Sequence, residues 1–203
     1  MNTLEFPRII PAKPALDDAI RLTSEGFSRP VSDAFSRGIE QILKNCDLFY
    51  RLEEHDRVSG YGAFKLYEHG MGRILYISSI MTSPKLQGGG WGRAIMNEAV
   101  ADTDSKYLSF KTQSPRMYAA AQKMVDRLFP DLDGEPIPDD ISELGSYIAA
   151  QRKLDFPVHR GSYELGAMYG ERPQHALGEK FYNLFDFEAG DAVVCIGRVA
   201  LLN

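Results

Sequence analysis

The 203-residue chain predicts a mixed α/β (α+β) fold, with a mostly antiparallel central sheet flanked by helices. Three observations carry that expectation. Three consecutive strand-like runs are joined by very short polar or glycine-rich turns. A run of glycines then leads into a helix and another strand, and two amphipathic helices precede the whole arrangement. Composition agrees with a single globular domain over residues 1–203, at 44% hydrophobic and 25% charged residues.

The first helix opens at Pro14, carries Leu16, Ala19 and Ile20 on one face, and is expected to break at Gly26. The second follows Pro30, with Ser32 as its cap and Phe35, Ile39, Ile42 and Leu43 at helical spacing. Strands are expected at Leu48–Glu53, Val58–Tyr67 and Arg73–Thr82. The connections His55-Asp56-Arg57 and His69-Gly70-Met71-Gly72 are short enough for hairpins, which makes these strands an antiparallel meander.

After Thr82 the pattern changes. Pro84 ends the strand, the glycines follow, and a helix carries Trp91, Ala94, Ile95, Ala99 and Val100. Tyr107–Thr112 reads as a strand, so the unit is a crossover joining parallel strands with right-handed connection. Ser114-Pro115 starts a helix whose stripe runs through Met117, Tyr118, Ala121, Met124, Val125 and Leu128. Pro130–Asp140 is an acidic loop, and Asp140 is expected to cap a helix bearing Ile141, Leu144 and Ile148. Phe156–Pro173 has no clear period. A short helix at Glu179–Phe185 and a strand at Ala192–Leu201 close the chain.

Net charge is −5 and the pI is about 5.4, with no basic run, which argues against nucleic acid or an anionic membrane as partner. The start, Met1–Arg8, lacks a signal peptide's apolar run, and no segment has enough apolar residues to span a bilayer, so a cytoplasmic location is expected. Cys46 and Cys195 read as free thiols. The four histidines form no spaced metal set, and no metal is expected.

The loop Gln87-Gly88-Gly89-Gly90-Trp91-Gly92 carries the chemistry. Glycines between a strand and a helix let backbone N–H groups approach a ligand closely. The first helical turn adds unpaired N–H groups and the positive end of the helix dipole. Together they suit a pyrophosphate. A nucleotide P-loop would need Lys and Ser or Thr after the last glycine, where Arg93-Ala94 stand. A dinucleotide fold would place its glycines in the first unit of a parallel sheet, whereas three antiparallel-looking strands come first here.

The run Gln87–Gly92 resembles the Arg/Gln-x-x-Gly-x-Gly/Ala signature of the GNAT superfamily of N-acetyltransferases. Its lead-in Ile80-Met81-Thr82-Ser83-Pro84 and the order of elements from about Pro14 to Phe129 resemble that family too. Residues 130–203 match loosely and are expected to complete the sheet and contribute to the acceptor pocket. The resemblance implies splayed fourth and fifth strands admitting the pantetheine arm of acetyl-CoA. It also implies backbone pairing by Ile80 and Thr82, an oxyanion contact near Met81, and pyrophosphate held from Gln87 through Gly88, Gly89, Gly90 and Trp91 to Gly92. Ser114 stands where the family often has an Asn touching pantetheine.

The implied reaction is direct attack by an amine, from a small molecule or a peptide or protein, on the thioester. Tyr118 is the candidate proton donor to the thiolate, and Glu53 or Tyr76 the candidate proton acceptor. Ser78 and Ser79 are candidates for a strand bulge or water site. Family members often form homodimers, so a homodimer stands among the open states. The alternative is a catalytically silent acyl-CoA-binding sensor or interaction domain.

Overall fold

The computed structural model describes residues 7–163 and 167–200. The elements are β1 (Arg8–Ile10), α1 (Leu16–Phe27), α2 (Asp33–Asn45), β2 (Leu48–Glu54), β3 (Arg57–His69), β4 (Gly72–Thr82), a 3-10 turn (Pro84–Leu86), α3 (Trp91–Thr103), β5 (Tyr107–Thr112), α4 (Pro115–Gln122), β6 (Val125–Phe129), α5 (Asp139–Arg152), β7 (Val158–His159), α6 (Gly178–Tyr182) and β8 (Ala192–Val199). The eight strands follow the order β1-β2-β3-β4-β5-β8-β6, with β7 beside β8. This mixed, mostly antiparallel sheet with helices is the fold class the sequence predicts. The chain groups into two compact units, Met1–Leu66 with Ile77–Thr103 and Tyr67–Tyr76 with Asp104–Asn203.

In the first unit, β2 pairs antiparallel with β1 and β3. The β2–β3 connection is a two-residue turn in which His55 and Asp56 both take positive φ, 50° and 57°. That pair of dihedrals matches the twist of a tight hairpin and explains the antiparallel register Glu54↔Arg57. Helices α1 and α2 bury Ala19, Leu22, Ile39 and Leu43 against Tyr61 and Ala63 of β3. Ser32 caps α2 as expected, accepting a bond from the Phe35 N–H at 3.2 Å. Gly26 does not end α1. The helix runs one residue further, and Ser28 closes it in the left-handed conformation at φ 52°.

In the second unit, β8 pairs antiparallel with β5, β6 and β7. Helix α5 covers this part of the sheet, burying Ile141, Leu144 and Ile148 with Tyr107, Phe129 and Ile196. Asp140 lies in its first turn, while Pro138 holds the cap position. The expected stripe from Met117 to Leu128 is not one helix. Helix α4 ends at Gln122, and Val125–Phe129 forms β6. Apolar residues at those spacings satisfy either structure locally; pairing with β8 decides, as Val125, Leu128 and Phe129 oppose Val199, Gly197 and Ile196. The approach is close enough that a Cβ on Gly197 would sit 2.5 Å from the Arg127 carbonyl oxygen. Strand β8 is described to Val199, and Leu201 lies outside the described residues. No helix among the described residues is long and apolar enough to cross a membrane.

Candidate active site

The glycine loop sits in the first unit, between β4 and α3. Strand β4 ends at Thr82, and the Ser83 N–H donates to the Ser59 carbonyl at 2.7 Å, anchoring the exit. Pro84–Leu86 makes one 3-10 turn, tightened by Leu86 N–H to Ser83 O at 2.9 Å and followed by Gly89 N–H to Leu86 O at 3.2 Å. The Ala94 N–H donates to Gly90 O at 3.0 Å, which makes Gly90 the residue from which α3 starts. Helical geometry therefore leaves the N–H groups of Trp91, Gly92 and Arg93 without an acceptor inside the helix.

Gly88 and Gly90 both have φ +81°, a conformation that side-chain-bearing residues rarely adopt, and a Cβ on either would meet nothing within 4 Å. A Cβ on Gly92 would touch only Ile80 Cδ1, at 3.8 Å. Gln87, Gly88, Gly89 and Gly90 are exposed. The loop thus offers unpaired backbone donors, the positive helix end and open space beside them, which fits a pyrophosphate. Of the residues expected to pair with pantetheine, Ile80, Met81 and Thr82 form the end of β4. The side chain of Met81 packs on the α1–α2 cluster, while Ile80 faces Gly92.

The remaining candidates divide between the two units. Glu53 lies on β2 in the first unit, with Oε1 2.7 Å from the Arg51 guanidinium. The Ser79 hydroxyl joins a buried chain, 2.8 Å from the Tyr61 hydroxyl, which is 2.8 Å from Thr23 Oγ1. The Ser78 hydroxyl is buried and has no hydrogen-bond partner among the described residues. Ser114, Tyr118 and Tyr76 belong to the second unit. Ser114 caps α4, accepting from the Met117 N–H at 3.4 Å, and its side chain also bonds to Tyr169. Tyr118 is fully buried, and its hydroxyl donates to the carbonyls of Pro130 at 2.9 Å and Leu128 at 3.3 Å. Burial raises its phenol strongly. Tyr76 is buried as well, pushed up to about 12 by burial, with the Arg152 guanidinium 4.6 Å from its ring centre.

A profile of the acetyltransferase (GNAT) family matches residues 16–122, more than half of the chain. The chain belongs to the GNAT family of acetyltransferases. No match was found among curated protein sequences. Among solved structures, the chain is similar to the ribosomal-protein-S18-alanine N-acetyltransferase of Escherichia coli at 11% identity and a TM-score of 0.53, over 98% of this chain and 97% of that one. It is also similar to a GNAT family acetyltransferase of Elizabethkingia anophelis with acetyl-CoA bound, at 13% identity and a TM-score of 0.48, over 95% and 98%. A third similar structure is the IAA acetyltransferase of Bacillus cereus, at 14% identity and a TM-score of 0.49, over 95% and 100%. At 11% identity the likeness to the Escherichia coli enzyme is one of fold.

Two features of this GNAT chain escape the sequence reading. The first unit has a cleft of about 1090 Å³ lined by α1, the β2–β3 turn and Ser83–Lys85. Its Arg21 is already engaged, at 3.0 Å from Asp18, 3.4 Å from Glu25 and 2.8 Å from the Val58 carbonyl. The second feature is Lys111, a cation in the otherwise uncharged strand Tyr107–Thr112. That oddity is itself a readable signal, because lysine is seldom found in a buried strand without a reason. No group of three His, Cys, Asp or Glu residues among the described residues is placed to hold a metal ion.

Proposed function

We propose that this GNAT chain is an N-acyltransferase, moving an acetyl group from acetyl-CoA to the amine of a small-molecule, peptide or protein acceptor in the cytoplasm. One observation carries the reading. The loop from Gln87 to Gly92 pairs open space at Gly88 and Gly90 with the unpaired N–H groups at the start of α3, inside the span of the family match. Gly88, Gly90, Trp91 and Gly92 would hold the pyrophosphate, and Ile80 and Thr82 would offer backbone to the pantetheine arm. Cys46 and Cys195 form no disulfide, which suits a reducing compartment.

In the reaction the amine nitrogen attacks the thioester carbonyl, a C–N bond forms and the C–S bond breaks. A backbone N–H near Met81 would stabilise the oxyanion; one such donor is worth roughly 2.7–4 kcal/mol. The nitrogen gives up a proton and the departing thiolate takes one, so the balance closes without a protein nucleophile. Of the two candidate acceptors for the amine proton, Glu53 suits the task better, because the buried phenol of Tyr76 stays protonated. We assign Tyr118 to packing, since its hydroxyl proton is directed at two carbonyls.

Two measurements test the reading together. Calorimetry with CoA, ATP and NAD should show CoA bound tightest, and incubation with acetyl-CoA and a broad amine panel should release free thiol. Tighter binding of ATP or NAD overturns the site assignment. CoA binding without thiol release from any amine leaves a silent acyl-CoA-binding domain.

A further inference from the structure

Strand β5 alternates, and Tyr107, Ser109 and Lys111 share one face. Tyr107 packs in the cluster under α5. On α5, Ile141, Leu144, Ile148 and Arg152 follow helical spacing along one stripe, the first three buried in that same cluster. The fold therefore puts a lysine and an arginine on the same strand face and helix stripe as core residues.

Lys111 Nζ lies 2.6 Å from the Ser162 hydroxyl and 4.8 Å from the centre of the Tyr163 ring. Arg152 lies 4.6 Å from the centre of the Tyr76 ring and bonds to the hydroxyls of Tyr67 and Tyr76. Burial, then Tyr169 and Tyr76, raises the Tyr163 phenol, so the two halves form one cluster. Burial, then the charge of Arg152, pulls the Lys111 amine down to about 8. Among the described residues no carboxylate acts on either cation.

Two partly buried cations set among tyrosines, with no anion among the described residues to balance them, cost free energy in the folded protein. An anionic ligand would remove that cost, and a guanidinium beside an ammonium suits the paired oxygens of a carboxylate or phosphate. We infer that Lys111 and Arg152 together bind an anionic group, the carboxylate or phosphate of a small molecule. The protein's net charge of −5 makes this local basic pair an exception to its overall field. The inference rests on the geometry of this cluster, and CoA serves in its test only as a report on the donor site.

The test titrates the full chain, saturated with CoA, with matched probes: L-amino acids, short ω-amino acids and phosphoethanolamine, each beside the alkylamine that lacks its acid group. At least one acidic probe should bind tenfold or more tighter than its alkylamine. Lys111→Met and Arg152→Met should each abolish that preference, and Lys111→Arg should restore part of it. Carboxylate and phosphate probes separate the two anions. Equal binding of acidic probes and alkylamines, no binding of either, or a preference that survives both Met variants would overturn the inference. CoA titration of the same samples reports on folding and on the donor site: a variant that no longer binds CoA is replaced in the comparison by Lys111→Gln or Arg152→Gln. Failure of CoA to bind the unaltered protein would instead strike the acyltransferase reading.

Discussion

The loop from Gln87 to Gly92 meets solvent with backbone alone, whereas the cluster around Lys111 and Arg152 is built from partly buried side chains of several elements. The loop's chemistry comes from what is missing: no Cβ at Gly88 and Gly90, and no intrahelical acceptor for the first N–H groups of α3. The cluster's chemistry comes from what is present and unbalanced, two cations at core-facing positions. The loop can therefore be emptied or blocked with little effect on stability, while the cluster couples ligand recognition to folding. A dipole-based anion site has no proton to lose near neutral pH; a site containing a depressed lysine does.

The largest effect should come from blocking the loop. Gly92→Val is preferable to Gly90→Val, because Gly92 has no positive φ to strain and its Cβ would meet only Ile80 Cδ1 at 3.8 Å. CoA affinity measured by calorimetry should fall at least tenfold, about 1.4 kcal/mol. The melting transition should stay cooperative. Unchanged affinity in a folded variant would remove the pyrophosphate from this loop and with it the contrast drawn above.

A smaller effect is expected at Tyr118, a residue of the second unit that sequence assigns to chemistry and geometry to packing. Tyr118→Phe strips the hydroxyl from the carbonyls of Leu128 and Pro130. Urea denaturation should show a loss of about 1 kcal/mol, the usual net worth of a hydrogen bond. Turnover, where chemistry limits it, should change by less than about tenfold; a fall of roughly 10²-fold or more would return Tyr118 to the role of proton donor.

The effect that most sharpens the comparison is a pH dependence. Burial, then the charge of Arg152, pulls Lys111 down to about 8 in the folded chain from an ordinary 10.5, so between those values the unfolded chain holds more protons. Stability then rises with pH across that window, and the penalty for the buried charge is fully present below pH 8. The groups facing Lys111 are Arg152 of α5, which stays charged, and Ser162 and Tyr163, with Tyr76 beyond; the tyrosines are held protonated by burial. Denaturation curves from pH 7 to 9.5 should rise for the unaltered protein relative to Lys111→Met. Parallel curves would show that Lys111 is charged and paid no penalty in the fold.

Much of the first unit is legible without coordinates because its signals are local. The Ser32 cap, the turn at His55-Asp56 and the glycines before Trp91 each act within a few residues, through backbone dihedrals and helix-end bonds. The family resemblance likewise rests on that loop and the order of elements. Misreadings fall where a local pattern has two solutions. The stripe from Met117 to Leu128 fits a helix throughout, yet β8 claims Val125–Phe129 as a strand; Arg8–Ile10 and Val158–His159 are too short to announce themselves and exist only as partners of β2 and β8.

By itself, then, the sequence determined the helix and hairpin succession of the first unit, the glycine loop ahead of α3 and membership of the GNAT family. These follow from residues adjacent in the chain, whose dihedral preferences and periodicities need no distant partner. Tertiary structure alone decided the pairing of β8, the commitment of the Tyr118 hydroxyl, and the meeting of Lys111 with Arg152, Tyr76 and Tyr163. Each of those joins residues many positions apart, and burial and charge repulsion arise only once such residues share one volume.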